Sequence, residues 1–165
     1  MNQEALIKQT REMNKVPVKP PEGTEVMLST GGQNALILIK KMVGVFCPRY
    51  ASGVQVLYID NTDHIYRSRQ EALMESIGIE IPERGKAPDL IVWMESRQWL
   101  FLMEACSTYD PIDVIRKREL LELFVPQRCK NVFASRFPDR SVMRQYLTDV
   151  SIFWHSPTAR WCLRF

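Results

Sequence analysis

The sequence predicts an α/β domain, of the mixed α+β kind, in which helices flank a mixed central β-sheet. Short segments rich in β-branched and aromatic residues alternate with segments whose apolar residues recur at helical spacing. Two of the strand-like segments are separated only by a short polar break, which favours an antiparallel hairpin. The chain has 165 residues, 45% of them hydrophobic and 25% charged, which is enough to bury one core without disulfide or metal crosslinks.

The first 24 residues are predicted to form an arm or linker, and the folded domain to cover residues 25–165. Within the arm, the stretch KVPVKPPEG contains three prolines and a glycine. Proline lacks the backbone N–H that a helix or a central strand needs, so neither is expected there.

The rest of the chain divides into helices and strands. Ser29 or Thr30 can cap a first helix that runs to about Phe46, and Pro48 closes it. The later elements are strand VQVLYID, helix RSRQEALMESIG with Gly78 as its stop, hairpin DLIVWME and WLFLMEAC around Ser96-Arg97-Gln98, helix IDVIRKRELLELF with Pro111 in its first turn, strand NVFASRF, helix DRSVMRQYLTD capped by Asp139, and strands SIFWH and WCLRF.

Composition excludes some kinds of site. The net charge of +3 is compatible with a polyanionic partner without requiring one. The four cysteines form no CxxC and do not combine with His64 or His155 at zinc-ligand spacing, so no structural zinc site is expected. No apolar run approaches the roughly 20 residues that span a bilayer, and no leader segment is recognised. A cytoplasmic location with free thiols and no membrane partner is therefore expected.

Two acids are predicted to meet across the hairpin. If residues 95–98 form the loop, Met94 faces Trp99, and five steps further out Asp89 stands opposite Glu104. Such residues point to the same face of the sheet, with Cβ atoms about 4.5 to 5.5 Å apart, and like charges there need a proton or a cation between them. Mg²⁺ favours carboxylate oxygens, so a divalent metal site is one interpretation. The other interpretation is that the loop differs in length by one residue and that the two acids lie at strand ends, exposed to solvent.

The sequence also resembles a known family. Pro88-Asp89, fourteen intervening residues and Glu104 resemble the PD-(D/E)XK nuclease motif, and the chain from about Val16 to its end resembles the BsuBI/PstI restriction endonuclease family. WLFLMEA and FPDR at this separation are much more specific than a bare PD…E. The matching stretches are EVMLS with GGQNAL, FCPRYASGVQVLYI, KAPDLIV with WLFLMEA, and FASRFPDRSVMRQYLTD.

The resemblance implies a Mg²⁺-dependent type II restriction endonuclease that hydrolyses double-stranded DNA, on a restriction-endonuclease-like PD-(D/E)XK core. Asp89 and Glu104 would be metal ligands and catalytic groups, the backbone carbonyl of Ala105 a further ligand, and Mn²⁺ a possible substitute for Mg²⁺. A bacterial or phage origin is implied as well. The resemblance also implies one of two partners. One is a second copy in a homodimer, because cutting both strands of a palindrome requires two sites. The other is a separate DNA-recognition domain, which the short arm cannot contain.

The chain departs from the motif at the position of the cation. The residue two beyond the second acid is usually lysine, and here it is Cys106. The RKR run in the following helix offers a replacement, and we expect Lys117, with Arg116 as its rival, to bring the positive charge. The first helix of such folds often presents an acid to the metal, yet its end reads MVGVF here, and Glu25 is the nearest acid.

Other polar residues are candidates for contacts with phosphate or for catalysis. Arg67, Arg69, Arg84 and Lys86 flank the hairpin as a basic rim that can meet phosphates, although a solvated face is the simpler interpretation. His64 is a loop histidine that is more often incidental than a general base.

Two functions compete at this point. The first is the active nuclease, and the second is a catalytically degenerate DNA-binding or protein-interaction module of the same fold. Cys106 favours the second function. Asp89 and Glu104 favour the first, because a degenerate site has no reason to keep two repelling acids together, and the nuclease is the preferred prediction.

Overall fold

A computed structural model describes residues 15–20, 25–29, 33–60, 71–82, 86–107, 111–124, 129–146 and 161–164. Its strands are β1 (Lys15–Val18), β2 (Val26–Ser29), β3 (Gln55–Ile59), β4 (Leu90–Met94), β5 (Trp99–Ala105), β6 (Lys130–Arg136) and β7 (Trp161–Arg164). Its helices are α1 (Gln33–Lys41), a π-helical turn (Met42–Phe46), α2 (Cys47–Tyr50), α3 (Glu71–Ser76), α4 (Val114–Leu123) and α5 (Arg140–Gln145).

The main sheet places the strands in the order β3-β4-β5-β6-β7. All neighbouring strands in it are antiparallel except β5 and β6, which are parallel and are connected through α4. A parallel pair needs a long crossover, and a helix supplies it. The predicted mixed sheet flanked by helices is therefore confirmed.

Each face of the sheet is covered by helices. Val92, Phe101 and Met103 pack on one face against α1, the π-helical turn and α2. Their strand neighbours Ile91 and Leu102 pack on the opposite face against α3 and α4. Because successive strand residues alternate between faces, burial on both sides requires the continuous apolar runs seen in β4 and β5.

The structure differs from the predicted arm at β1. Lys15–Val18 pairs antiparallel with β2, and Val18 is fully buried beside α1. Pro17 is compatible with this pairing because a two-stranded ribbon leaves strand edges where a missing N–H costs little. These four residues are part of the fold, and an arm before Lys15 stays a prediction that lies outside the described residues.

The first helix does not end at Pro48 as predicted. Helical structure continues to Tyr50 because residues 42–46 form a π-helical turn, in which the N–H of Cys47 donates to the carbonyl of Met42. The proline then lies in the first turn of α2, where its missing N–H is tolerated.

The predicted ends of the other helices are largely as expected. Gly78 ends α3 in the left-handed region, at φ 72°, and Asp139 caps α5 by accepting from the N–H groups of Ser141 and Val142. Helix α4 is capped by Asp113 and begins later than Pro111 suggested. The predicted strand SIFWH lies outside the described residues. None of the described helices is long and apolar enough to cross a membrane.

Candidate metal and active site

The hairpin has the predicted register. Met94 pairs with Trp99 and Leu90 with Met103, so the next step outward places Asp89 opposite Glu104. The short loop sets this register: Gln98 adopts φ 54° and its N–H donates to the carbonyl of Glu95 at 3.1 Å. The alternative of two solvent-exposed acids is wrong for Glu104, whose side chain is only 16% exposed.

Asp89 is held by backbone contacts from both neighbouring strands. Its Oδ2 accepts a hydrogen bond from the N–H of Ala105 at 2.6 Å, and its carbonyl accepts from the N–H of Asp60 at 2.8 Å. Burial raises the pKa of Asp89, while the Ala105 N–H opposes that rise. The carboxyl group is therefore fixed in place next to Glu104.

Ionisation of Glu104 is unfavourable as well. Burial, and then the charge of Asp89, raise the pKa of Glu104 to about 8, against the opposing effect of Arg116. At neutral pH the pair therefore retains a proton, and a divalent cation can replace that proton.

Arg116 is a cation that reaches this pair. From the first turns of α4, its Nε and Nη2 donate to Glu104 Oε1 at 3.0 and 2.8 Å, and Nη2 also donates to the carbonyl of Ala87 at 3.3 Å. Its Nη1 donates to Glu119 at 3.3 Å. Although burial opposes it, the pKa of Arg116 is raised, because these carboxylates favour the charged form.

Lys117 lies on the same face of the sheet but at a different place. Its Nζ is 5.2 Å from the centroid of the Phe133 ring, and Phe133 is the partner of Leu102 in the parallel register. The structure thus brings Arg116, the rival in the sequence prediction, to Glu104, and places the preferred Lys117 beside an aromatic ring. The catalytic roles of both stay predictions.

Cys106 follows the end of β5 and turns into an apolar cluster. It is 4% exposed and packs with Phe137 and Met143, and its Sγ is 3.8 Å from the carbonyl oxygen of Glu104. An ammonium group in that cluster would be desolvated among apolar side chains. These surroundings disfavour a lysine at position 106, and the guanidinium group of Arg116 on α4 lies beside Glu104 instead.

Comparison with known proteins places the chain in a family. Residues 16–161 match the model of the BsuBI/PstI restriction endonuclease domain. The chain belongs to this family. It is 33% identical over 141 residues to the type II restriction enzyme BsuBI of Bacillus subtilis, covering 86% of this chain and 44% of that protein. The type II restriction enzyme AplI of Arthrospira platensis (strain NIES-39 / UTEX 3086 / IAM M-135) is 28% identical over 162 residues, covering 94% of this chain and 48% of that protein.

A solved relative has the same fold. The structure of SdaI restriction endonuclease superposes with a TM-score of 0.70 at 38% identity, over 89% of this chain and 46% of that one. The predicted restriction-endonuclease-like core is therefore confirmed. The chain spans about half the length of each of these relatives.

The acids of this BsuBI/PstI-type domain suit a hard divalent ion. Mg²⁺ is commonly held by one or two carboxylates, with waters and substrate phosphate completing its shell. Among the residues that the structure describes, no group of three or more His, Cys, Asp or Glu side chains gathers to enclose a metal. Asp89 and Glu104 therefore provide a partial shell of the kind Mg²⁺ accepts. The carbonyl of Ala105, the other predicted ligand, accepts from the N–H of Ser107 at 2.8 Å and retains a second lone pair.

One residue near the pair had not been predicted. Asp60 follows β3 and adjoins Asp89 through its N–H, and its charge contributes to raising the pKa of Asp89. The hydroxyl of Tyr58 donates to Asp60 Oδ1 at 3.2 Å. In the sequence, Asp60 could have been noticed only as the acid that ends the strand VQVLYID, and only the pairing of β3 with β4 brings it to Asp89.

Glu25, the acid noted near the first helix, is exposed before β2.

The other polar candidates are only partly described. Lys86 of the basic rim is exposed, while Arg67, Arg69, Arg84 and His64 lie outside the described residues. Their predicted contacts with phosphate stay predictions.

Proposed function

We propose that this domain is the catalytic unit of a type II restriction enzyme and hydrolyses phosphodiester bonds of double-stranded DNA with Mg²⁺, or Mn²⁺ in its place, held by Asp89, Glu104 and the carbonyl of Ala105. The half-buried acid pair carries this proposal. Two carboxyl groups in one small volume, one of them with its pKa raised to about 8, fold at a cost that a bound cation offsets.

Each residue has a defined part in the proposal. A bound divalent ion supplies Lewis-acid stabilisation and lowers the pKa of a water molecule. Asp89 and Glu104 bind and orient it, and the Ala105 N–H keeps the Asp89 carboxylate in position. Arg116 fixes Glu104 and brings positive charge to where charge develops on the phosphate, the role that lysine has in the PD-(D/E)XK motif. Lys117 is the second candidate for that role.

The competing function is a DNA-binding or protein-interaction module of the same fold without catalysis. Its support is Cys106, which occupies the usual lysine position inside an apolar cluster. This function predicts binding of DNA without metal-dependent strand cleavage.

A nicking assay separates the two functions. Supercoiled plasmid is incubated with the protein and Mg²⁺ or Mn²⁺, beside Asp89→Asn and Glu104→Gln. Glu95→Gln is the matched control, because Glu95 is an exposed acid at the opposite end of the same hairpin. We expect nicked and linear products from the wild type and the control, and at least a hundredfold slower cleavage by the two site variants. Equal cleavage by all four proteins would show that another nuclease is responsible.

Calorimetry with Mn²⁺ tests the metal site independently of turnover. The wild type should bind Mn²⁺ and Asp89→Asn should bind it at least tenfold more weakly. Equal affinities would exclude the acid pair as the site.

The share of its relatives that the domain covers supports a proposal about its partners. Because it spans about half their length, we propose that recognition of a DNA sequence also requires a further recognition domain, or the pairing of two catalytic domains in a homodimer. Sedimentation of the chain alone and with a palindromic duplex measures whether two copies assemble on DNA.

A further inference from the structure

The outward side of α4 carries two large aliphatic side chains in its first turn. Val114 is 52% exposed and Ile115 is 68% exposed, and Arg118 is exposed beside them. Leu120 on the same helix is fully buried, so α4 has a distinct inner side toward the sheet. At 100° per residue, Val114, Ile115 and Arg118 lie together on the side opposite Leu120. We call these three residues the outer surface of α4.

The stability of the helix does not account for this surface. Valine and isoleucine are β-branched and have lower helix propensity than alanine or leucine. Their exposure also leaves apolar area in water, which is unfavourable. Exposed aliphatic residues are common on protein surfaces, so the position of this pair beside the candidate active site and the charge around it decide what it can contact.

The outer surface adjoins the candidate active site. Ile115 is the residue directly before Arg116, whose guanidinium group binds Glu104 on the inner side of the same turn. A DNA strand whose phosphate lies at Asp89 and Glu104 therefore passes close to the beginning of α4. Neighbouring parts of that duplex are within reach of the outer surface.

Charge along the helix favours its beginning as the contact. Arg116, Lys117 and Arg118 lie in the first half of α4, whereas Glu119 and Glu122 lie in the second half. Glu119 is paired with Arg116 at 3.3 Å, and Glu122 is exposed. A polyanion is attracted to the first turns and repelled from the last one. The outer surface by itself is also much smaller than the roughly 800 Å² per partner that a stable protein dimer buries.

We propose that the outer surface of α4 contacts double-stranded DNA next to the scissile phosphate, with Val114 and Ile115 against thymine methyl groups at the groove edge and Arg118 on a phosphate. This inference rests on the part of the proposed function that places the duplex at the acid pair, and it does not require cleavage. Thymine C5-methyl groups are the apolar feature that a duplex presents in the major groove, and aliphatic side chains are suitable contacts for them.

Removing the methyl groups from the DNA tests the contact directly. Binding is measured by fluorescence anisotropy with Ca²⁺ replacing Mg²⁺, using one duplex that contains thymine and a matched duplex in which every thymine is replaced by uracil. We expect the wild type to bind the uracil duplex several-fold more weakly. The double variant Val114→Ser/Ile115→Ser should bind the thymine duplex roughly tenfold more weakly than the wild type and should not distinguish the two duplexes.

Matched variants control for general effects of the substitutions. Val45→Ser changes a valine of the same 52% exposure on the π-helical turn, against the other face of the sheet, and should bind both duplexes like the wild type. Arg118→Ala should weaken both duplexes equally and lower the slope of log affinity against log salt by about one. Mn²⁺ affinity should be unchanged in the double variant, which shows that its fold and acid pair are intact.

The outcomes separate this inference from the proposed function. Equal binding of both duplexes by the wild type, unchanged binding by the double variant, or loss of self-association in the double variant without loss of DNA binding would each overturn the inference. So would a wild type that binds neither duplex. A wild type that distinguishes the duplexes but never cleaves would instead overturn the nuclease and leave this contact in place.

Discussion

Arg116 donates two hydrogen bonds to a single oxygen of Glu104, Oε1, from Nε at 3.0 Å and from Nη2 at 2.8 Å. Both bonds come from a planar group on a helix, while Glu104 is fixed on a central strand. The guanidinium group therefore compensates part of the negative charge of the acid pair without using the whole carboxylate of Glu104. Arg116 and a divalent cation can then share that carboxylate.

Replacing Arg116 should affect both ionisation and turnover. In Arg116→Ala the pKa of Glu104 loses its main lowering influence and rises further, so we expect weaker Mn²⁺ binding at pH 7 that recovers toward pH 9. Cleavage should fall at least a hundredfold, and Arg116→Lys should restore part of it because a charge without the planar fork remains. Calorimetry across this pH range and plasmid nicking measure the two effects.

Lys117→Ala is the control for that experiment. Because Lys117 contacts the Phe133 ring while Arg116 contacts Glu104, its loss should change the pH dependence of Mn²⁺ binding very little. If Lys117→Ala shifted that dependence as much as Arg116→Ala, the assignment of the cation would have to be reversed.

The stability of the metal-free protein should depend on the acid pair. The folded pKa of Glu104 is raised above its unfolded value, so the folded state holds the extra proton between about pH 4.5 and pH 8. The free energy of unfolding must then fall as pH rises through this window, by at most about 1.4 kcal/mol per pH unit for one proton. Thermal unfolding at several pH values should show the decline in the wild type and a weaker one in Glu104→Gln.

Saturating Mn²⁺ should reverse that trend. Metal binds the ionised pair, so its stabilising effect should grow with pH over the same window. A wild type whose metal-free unfolding temperature rises between pH 5 and pH 8, with Glu104→Gln following the same curve, would contradict the direction of the Glu104 shift.

The hairpin turn predicts a stabilising substitution. Gln98 has φ 54°, a region that glycine occupies without steric cost. Gln98→Gly should raise the free energy of unfolding by roughly 0.5 kcal/mol. The substitution also removes the exposed hydrogen bond from Gln98 Nε2 to the Glu95 carbonyl at 2.9 Å, which offsets part of this gain. Gln98→Val, which introduces a β-branched side chain at this φ, should destabilise the protein, and urea denaturation measures both changes.

The hairpin was predictable because two local constraints agree. A four-residue polar loop and continuous apolar runs on both sides leave little freedom of register, so Asp89 and Glu104 were placed opposite each other from the sequence alone. Pro17 and Pro48, in contrast, led to wrong predictions. Pro17 is accommodated at a strand edge, and Pro48 is accommodated after a π-helical turn. Those two features depend on the neighbouring β2 and on a widened helical turn, which local sequence rules do not reveal.

The choice between Arg116 and Lys117 is a problem of helical phase. Adjacent residues on a helix point 100° apart, so an error of one residue in the predicted start exchanges which of them faces the acid pair. Asp113, rather than Pro111, marks the start of α4, and that cap fixes the phase. Asp60 was missed for a similar reason, because its nearness to Asp89 is set by pairing between strands far apart in the chain.

Restoring the usual lysine at position 106 should damage the protein instead of improving it. Cys106 is buried with Phe137 and Met143, so Cys106→Lys places an ammonium group in an apolar cluster and should lower the free energy of unfolding by about 3 kcal/mol or more. Cys106→Ala removes only a small buried group and should cost about 1 kcal/mol, with cleavage close to that of the wild type. Urea denaturation and plasmid nicking of both variants measure these effects. A stable Cys106→Lys protein that cleaves faster than the wild type would show that position 106 can still provide the cation, and that Arg116 has not replaced it.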